Sequence, residues 1–223
     1  MTYVMSDVHG NYQKFKAMLS EISFKEEDVL YLLGNLVDFG TESMELIEDI
    51  SMRLNVYPIV GERDFLAARM LHGFEKMRKS GAAPDAGYIS EMTAWVADGG
   101  QATLAAFREL DDDSREGVLE YFEDMTLYEE LRIRGKDYIL VHAGIAGYKA
   151  GTDLEDYEPS AFLTEAPDMT RPTVKGKILV VGHTPTESGT IEYGEGSIFI
   201  NCGVKDGGAL ACLCLENGEE YYV

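Results

Sequence analysis

Three of the chain's four histidines stand in short polar segments that begin directly after apolar runs. These are Asp7-Val8-His9-Gly10, Val141-His142-Ala143-Gly144 and Gly182-His183-Thr184-Pro185. Two further segments of the same kind lie between them, Gly34-Asn35-Leu36-Val37-Asp38-Phe39-Gly40 and Gly61-Glu62-Arg63-Asp64. Imidazoles and carboxylates gathered together suit a divalent cation of the Mn, Fe or Zn kind. Each segment follows a run that reads as a strand, so all five are expected on loops at one edge of a sheet.

The elements that must position them are legible from periodicity. Short aliphatic runs ended by Gly, Asp or Asn predict strands at residues 2–5, 29–33 and 56–60. Tyr12, Phe15, Met18, Leu19 and Ile22 recur at helical spacing, as do Met44, Ile47, Ile50 and Leu54. Strand and helix alternating in this way predict parallel pairing. Residues 65–125 read as mostly helical, with breaks at 80–85 and 98–100, and form a helical insertion or cap. A hairpin is expected over residues 127–134 and 137–142, turning at Gly135-Lys136. A long polar connection then leads to a strand at 178–181. Runs at 189–193, 197–201, 210–215 and 220–223 read as an antiparallel meander. The expected fold is α/β with α+β features: a two-sheet mixed β-sandwich flanked by helices, in one domain spanning residues 1–223.

Composition limits the partners. The 223 residues hold 45% hydrophobic and 26% charged residues, enough apolar matter for a substantial core. With 19 Lys and Arg against 40 Asp and Glu, the net charge is −21. Such a surface repels nucleic-acid phosphates and anionic membrane, so neither is expected as a partner. An anionic substrate needs a cation to reverse the sign locally. Much of the acid falls in residues 109–130, read as a solvated helical face. Cys202, Cys212 and Cys214 all lie in strand-like sequence near the end. Cys212 and Cys214 share a strand face, which disfavours a disulfide between them, so reduced thiols are expected. The segment after Met1 lacks a basic region followed by an apolar one, and no apolar run approaches a membrane span. A cytoplasmic protein is expected.

Taken together in order, the five segments resemble the calcineurin-like metallophosphoesterases, and within them the bacterial Ser/Thr phosphoprotein-phosphatase type. The similarity extends over Tyr3 to Val223, including Trp95-Val96-Ala97-Asp98-Gly99-Gly100 and Ile200-Asn201-Cys202-Gly203. The family pattern is Asp-x-His-Gly, Gly-Asp-x-x-Asp-Arg-Gly, Gly-Asn-His-Glu/Asp, His-Ala-Gly and Gly-His-Thr-Pro. The resemblance implies hydrolysis of phosphomonoesters by a hydroxide held on one or two divalent ions, acting on a phosphorylated small molecule or phosphoprotein.

Carried over position by position, the resemblance implies Asp7 and His9 as ligands of one ion and His142 and His183 as ligands of another. Asn35 stands where the family has a bridging aspartate, and Glu62 where it has a neutral asparagine ligand. The number of acidic ligands is thereby kept. Arg63 replaces the histidine that acts as general acid, and a guanidinium cannot hand over a proton. Asp38, which would orient that histidine, is retained and is expected to pair with Arg63. Phe39 replaces a phosphate-gripping arginine, and Ala166 falls where a second one is expected. Two alternatives follow. One is a metallophosphoesterase with reduced or altered activity, in which Arg63 binds the phosphate. The other is a pseudophosphatase that binds a phosphorylated ligand without cleaving it. His72 and Trp95 read as structural, and Asp206-Gly207-Gly208 as a turn.

Overall fold

The computed structural model describes residues 1–81 and 83–223. Two five-stranded sheets stack face to face. The first has the order β10-β9-β1-β2-β3, with β1 (Thr2–Met5), β2 (Val29–Leu33), β3 (Val56–Ile59), β9 (Ala211–Cys214) and β10 (Glu220–Tyr222). The second has the order β4-β5-β6-β8-β7, with β4 (Tyr128–Ile133), β5 (Lys136–Val141), β6 (Lys177–Val181), β7 (Glu192–Gly194) and β8 (Ser197–Phe199). The three strands β1, β2 and β3 pair in parallel, as do β5, β6 and β8. Five of these strands end beneath the motif segments, and those carboxyl ends share one rim.

Period-two alternation decides what each face buries. From the first sheet, Val4, Leu33 and Ile59 point between the sheets, where they meet Tyr138, Leu140, Val180 and Ile198 of the second. Their neighbours Tyr3, Met5, Leu30 and Leu32 face the helices instead. The outer face of the second sheet buries Ile139, Val141, Leu179 and Val181 under Phe162 and Val174 of the long connection. Helices α1 (Tyr12–Glu21) and α2 (Ser43–Ser51) cross over between the parallel strands. Helix α2 ends before Leu54, which was expected on its buried face but is 94% exposed.

Between β3 and β4 lie α3 (Glu62–Ser80), α4 (Ala86–Trp95), α5 (Gln101–Glu109) and α6 (Asp112–Glu123). The break expected at 80–85 is entered through left-handed Gly81 and includes residue 82, which lies outside the described residues. The break at 98–100 is a wide π-type turn over Val96–Gly100, with Gly99 at φ 99°. The acidic face of α6 is solvated, while Val118, Leu119 and Phe122 are buried. Buried Glu75 of α3 ties α6 back through Arg115 at 3.2 Å and also takes Arg78 at 2.7 Å.

Three expectations need correction. The β4–β5 loop is Arg134-Gly135, one residue earlier than read, with both φ angles positive (51° and 81°) as a two-residue hairpin loop demands. The last four strands are not one meander. Hairpin β7–β8 joins the second sheet, with β8 parallel to β6, and β9–β10 joins the first, so these strands close both sheets. Glu62, Arg63 and Asp64 lie in the first turn of α3 rather than on a loop. All three cysteines are free and buried, and no helix among the described residues is long and apolar enough to cross a membrane.

Glycines separate tight loop packing from open space. A Cβ at Gly61 would stand 2.2 Å from the Asn35 backbone nitrogen, whereas one at Gly117 in α6 meets nothing within 4 Å. Gly61→Ala is therefore expected to lower the unfolding free energy by about 2 kcal/mol or more, and Gly117→Ala to raise it by about 0.5–1 kcal/mol. Urea denaturation of both variants checks this, and equal effects would contradict the close approach.

Candidate active site

The five segments converge because their backbones are laced together. Asp7 N–H donates to Gly34 O at 2.9 Å, His9 N–H to Asn35 O at 2.9 Å, and Gly10 N–H to Leu36 O at 2.7 Å. Gly182 N–H donates to His142 O at 2.8 Å, joining the two second-sheet segments. Eight non-glycine residues have positive φ among those described, and six of them (Asp7, His9, Asn35, Asp38, Phe39 and His183) stand here. Backbone strain of this kind concentrates where side chains must be aimed rather than merely buried.

His142 is fully buried and bridges the sheets, its Nδ1 donating to Leu33 O at 2.7 Å. That bond fixes the tautomer and leaves Nε2 as an acceptor, and this buried atom has no partner. Burial is the main cause that pushes its pKa down to about 4, so the ring is neutral. Its ring centroid is 5.1 Å from that of His183, whose Nδ1 lies 3.9 Å from Glu62 Oε2. Glu62 is half-exposed. A neutral imidazole oriented by a carbonyl, with an orphaned lone pair, is the arrangement of a metal-ligating histidine.

Asp7 and His9 sit beside this pair and are more fully engaged. Asp7 Oδ1 accepts from Asn35 Nδ2 at 2.9 Å and lies 3.7 Å from His9 Nε2, while Oδ2 accepts the His183 backbone N–H at 2.9 Å. Burial raises the Asp7 pKa and lowers that of His9. Asn35 Oδ1 accepts the Arg63 backbone N–H at 2.8 Å, capping α3, so its amide group turns NH2 toward Asp7. Among the described residues no three histidine, cysteine or acidic side chains already stand at ligand spacing.

Arg63 is clasped. Its Nε donates to Asp38 Oδ2 at 2.9 Å, one terminal nitrogen to Asp98 Oδ2 at 2.8 Å, and the other to Asp98 O at 2.5 Å, that last nitrogen also lying 2.8 Å from Asp38 Oδ2 as an ion pair. Fully buried Asp38 also accepts from Trp95 Nε1 at 2.8 Å and from Thr103 Oγ1 at 2.8 Å. Burial raises its pKa, and the donors around it oppose that rise. Ala166 lies in the long connection, beside the Glu165 carbonyl that closes over Gly144.

Several residues of the site escaped the sequence reading. Trp95 read as a cap anchor, and the bond from its indole to Asp38 is not encoded by spacing. Thr103 carries no local signal either, while for Asp98 its place in Trp95-Val96-Ala97-Asp98-Gly99-Gly100 was the available hint. Asp64, read only as part of a motif, accepts Gly61, Leu36 and Val37 N–H at 2.9, 2.8 and 3.3 Å and so locks the second segment to α3. Burial pushes its pKa up to about 6. Asn201 donates to His183 O at 2.8 Å, and its presence in Ile200-Asn201-Cys202-Gly203 was the available hint.

Two stacked mixed sheets gather these histidines and carboxylates at the carboxyl ends of five strands. The sequence pattern of the calcineurin-like phosphoesterases matches residues 2–214, and the chain belongs to that family. Its members use divalent metal ions. Among curated relatives, the symmetrical bis(5'-nucleosyl)-tetraphosphatase of Pectobacterium atrosepticum is 26% identical over 65% of this chain and 43% of its own length. That of Pseudomonas putida is 33% identical over 38% of this chain and 32% of its own length. The matches thus span less than half the length of these relatives. Among solved structures, a metallophosphoesterase from Sphaerobacter thermophilus superposes with a TM-score of 0.59 at 16% identity, covering 100% of this chain and 87% of that one. A Ser/Thr protein phosphatase from Saccharomyces cerevisiae gives 0.60 at 13% identity over 95% of this chain and 71% of that one, a likeness of fold alone.

The pH behaviour of His142 follows from its burial. An unfolded imidazole takes up its proton near 6.5, whereas this one does so near 4, so the unfolded chain gains the proton first. The stabilisation His142 contributes is complete above about pH 6.5 and is lost as pH falls toward 4. Nitrogen-detected NMR of the metal-free protein should show the Nδ1–H tautomer, unprotonated at pH 5.5. Protonation near 6.5 would contradict the buried, carbonyl-held geometry.

Proposed function

We propose that the chain is a metal-dependent phosphoesterase of altered activity that hydrolyses phosphomonoesters of a small molecule or protein. The observation that carries this reading is the orphaned Nε2 of buried His142, aimed into a cluster with His183 and Glu62. These three side chains fit one divalent ion (Mn, Fe or Zn), reached by rotation of the exposed Glu62 carboxylate. Such an ion supplies an activated water and neutralises phosphoryl oxygens. Asp7 holds the His183 backbone, and His9 lies against Asp7. Asn35 aims NH2, which cannot ligate, at Asp7, so a second ion is disfavoured on the Asp7 side.

The residue at the general-acid position supplies no proton to the leaving oxygen. Arg63 is permanently charged, and Asp38 is buried among donors. Arg63 and Asp38 thus position the site, and the leaving group must depart unaided. Aryl phosphates are the favoured phosphomonoesters, and the relatives' names add dinucleoside tetraphosphates as substrates to try. The free, buried thiols support a reducing, cytoplasmic setting. The same Asn35 orientation and clasped Arg63 favour a second reading, a pseudophosphatase that holds a phosphorylated ligand intact.

Assay of the protein with Mn, Fe or Zn decides between them. We expect p-nitrophenyl phosphate to turn over faster than phosphoserine by about 10²-fold or more, the loss attributable to a missing general acid. His142→Ala should reduce turnover by roughly 10²-fold. Absence of turnover on aryl, nucleotide and dinucleoside substrates, with phosphorylated ligands still bound, would give the second reading.

A further inference from the structure

We propose that Lys205 is the anion-gripping cation of this site, binding a phosphoryl oxygen of the ligand in place of the clasped Arg63. The inference rests on the phosphoesterase reading above. A chain of net charge −21 needs a local positive group to hold an oxyanion, and three of the five Arg63 side-chain N–H bonds are already given to Asp38 and Asp98. Lys205 differs in every respect that matters. It is exposed, and among the described residues its ammonium contacts an aromatic face and no carboxylate.

That face is Phe39, whose ring centroid lies 4.6 Å from Lys205 Nζ, 4.9 Å from Arg63 Cζ and 5.2 Å from the His9 ring centroid. Phe39 is held at φ 65° by its N–H bond to Gly99 O at 2.9 Å, with Gly99 pressed on the ring. The ammonium therefore rests at the rim of the histidine cluster.

The lysine is also tethered to the metal-facing segment. It sits on a short 3-10 turn, Val204–Asp206, between left-handed Gly203 and Gly207, with Val204 buried beneath. Asn201 Oδ1 accepts Gly203 N–H at 2.9 Å, while Asn201 Nδ2 donates to His183 O at 2.8 Å. One amide thus fixes the Lys205 turn against the His183 backbone. An exposed contact between ammonium and ring is weaker than a charge-assisted bond to a phosphate oxygen, so the ring is a resting place that the lysine leaves when an anion arrives.

Titration of inorganic phosphate into the Mn-supplied protein, alongside p-nitrophenyl phosphate kinetics, tests this. Lys205→Ala should weaken phosphate binding about 10-fold and raise KM by a similar factor, with kcat within about twofold, while Lys205→Arg stays within about threefold of the unchanged protein. The side chain is exposed, so both variants should melt with the unchanged protein. If Lys205→Ala binds phosphate as tightly as before while His142→Ala lowers turnover as expected above, the phosphoesterase reading stands and the lysine assignment falls. If the unchanged protein neither binds phosphate nor turns over the aryl ester, both fall.

Discussion

The site depends on one buried carboxylate. Asp38 is wholly removed from solvent, yet Arg63 of α3, Trp95 of α4 and Thr103 of α5 all donate to it. A charge so placed is tolerable only while each donor stays in register, because a desolvated carboxylate without partners costs several kcal/mol. Three helices of the insertion are therefore pinned to the second segment by a single side chain. The same bonds immobilise Arg63, which settles what that arginine can do. Its guanidinium is part of the framework around the cleft, and the exposed cation over Phe39 comes from a different turn.

A second constraint lies between the sheets. Leu33, the last residue of β2, presents its carbonyl to His142 at the end of β5, so one hydrogen bond crosses from one sheet to the other. Burial and this bond act in opposite directions on the imidazole, and burial wins, keeping the ring neutral with its second nitrogen free. Packing of the hydrophobic interior and preparation of the donor atom are thus one event. Val4, Leu33, Leu140 and Val180 fill the space between the sheets, and the histidine sits where that filling ends.

Much of this was legible beforehand. The first strands, their parallel start, the helical insertion and the placing of His9, His142 and His183 after strand ends follow from short-range patterns and from five strand-plus-segment units. The pairing of Arg63 with Asp38 was also expected. What sequence could not supply were partners chosen by tertiary geometry. Trp95 lies 57 positions from Asp38 and Thr103 lies 65, and neither spacing carries information. Strand neighbours failed for the same reason. Hairpins at the end of the chain look alike in sequence, and only the open edges of β1 and β6 determine that β9 pairs with one and β8 with the other. Leu54 was misassigned because apolar spacing continued past the residue where α2 ends.

The near-contact of Gly34 and Gly61 has a consequence for how such a protein can change. A side-chain carbon on Gly34 would stand 2.4 Å from the Gly61 nitrogen, so the two backbones leave no room for insertion or for bulk. Evolutionary revision at this point is confined to swapping groups on a fixed chassis. Asn35 and Glu62 each follow one of these glycines, and the peptide framework beneath their side chains has no freedom to move with a change of group.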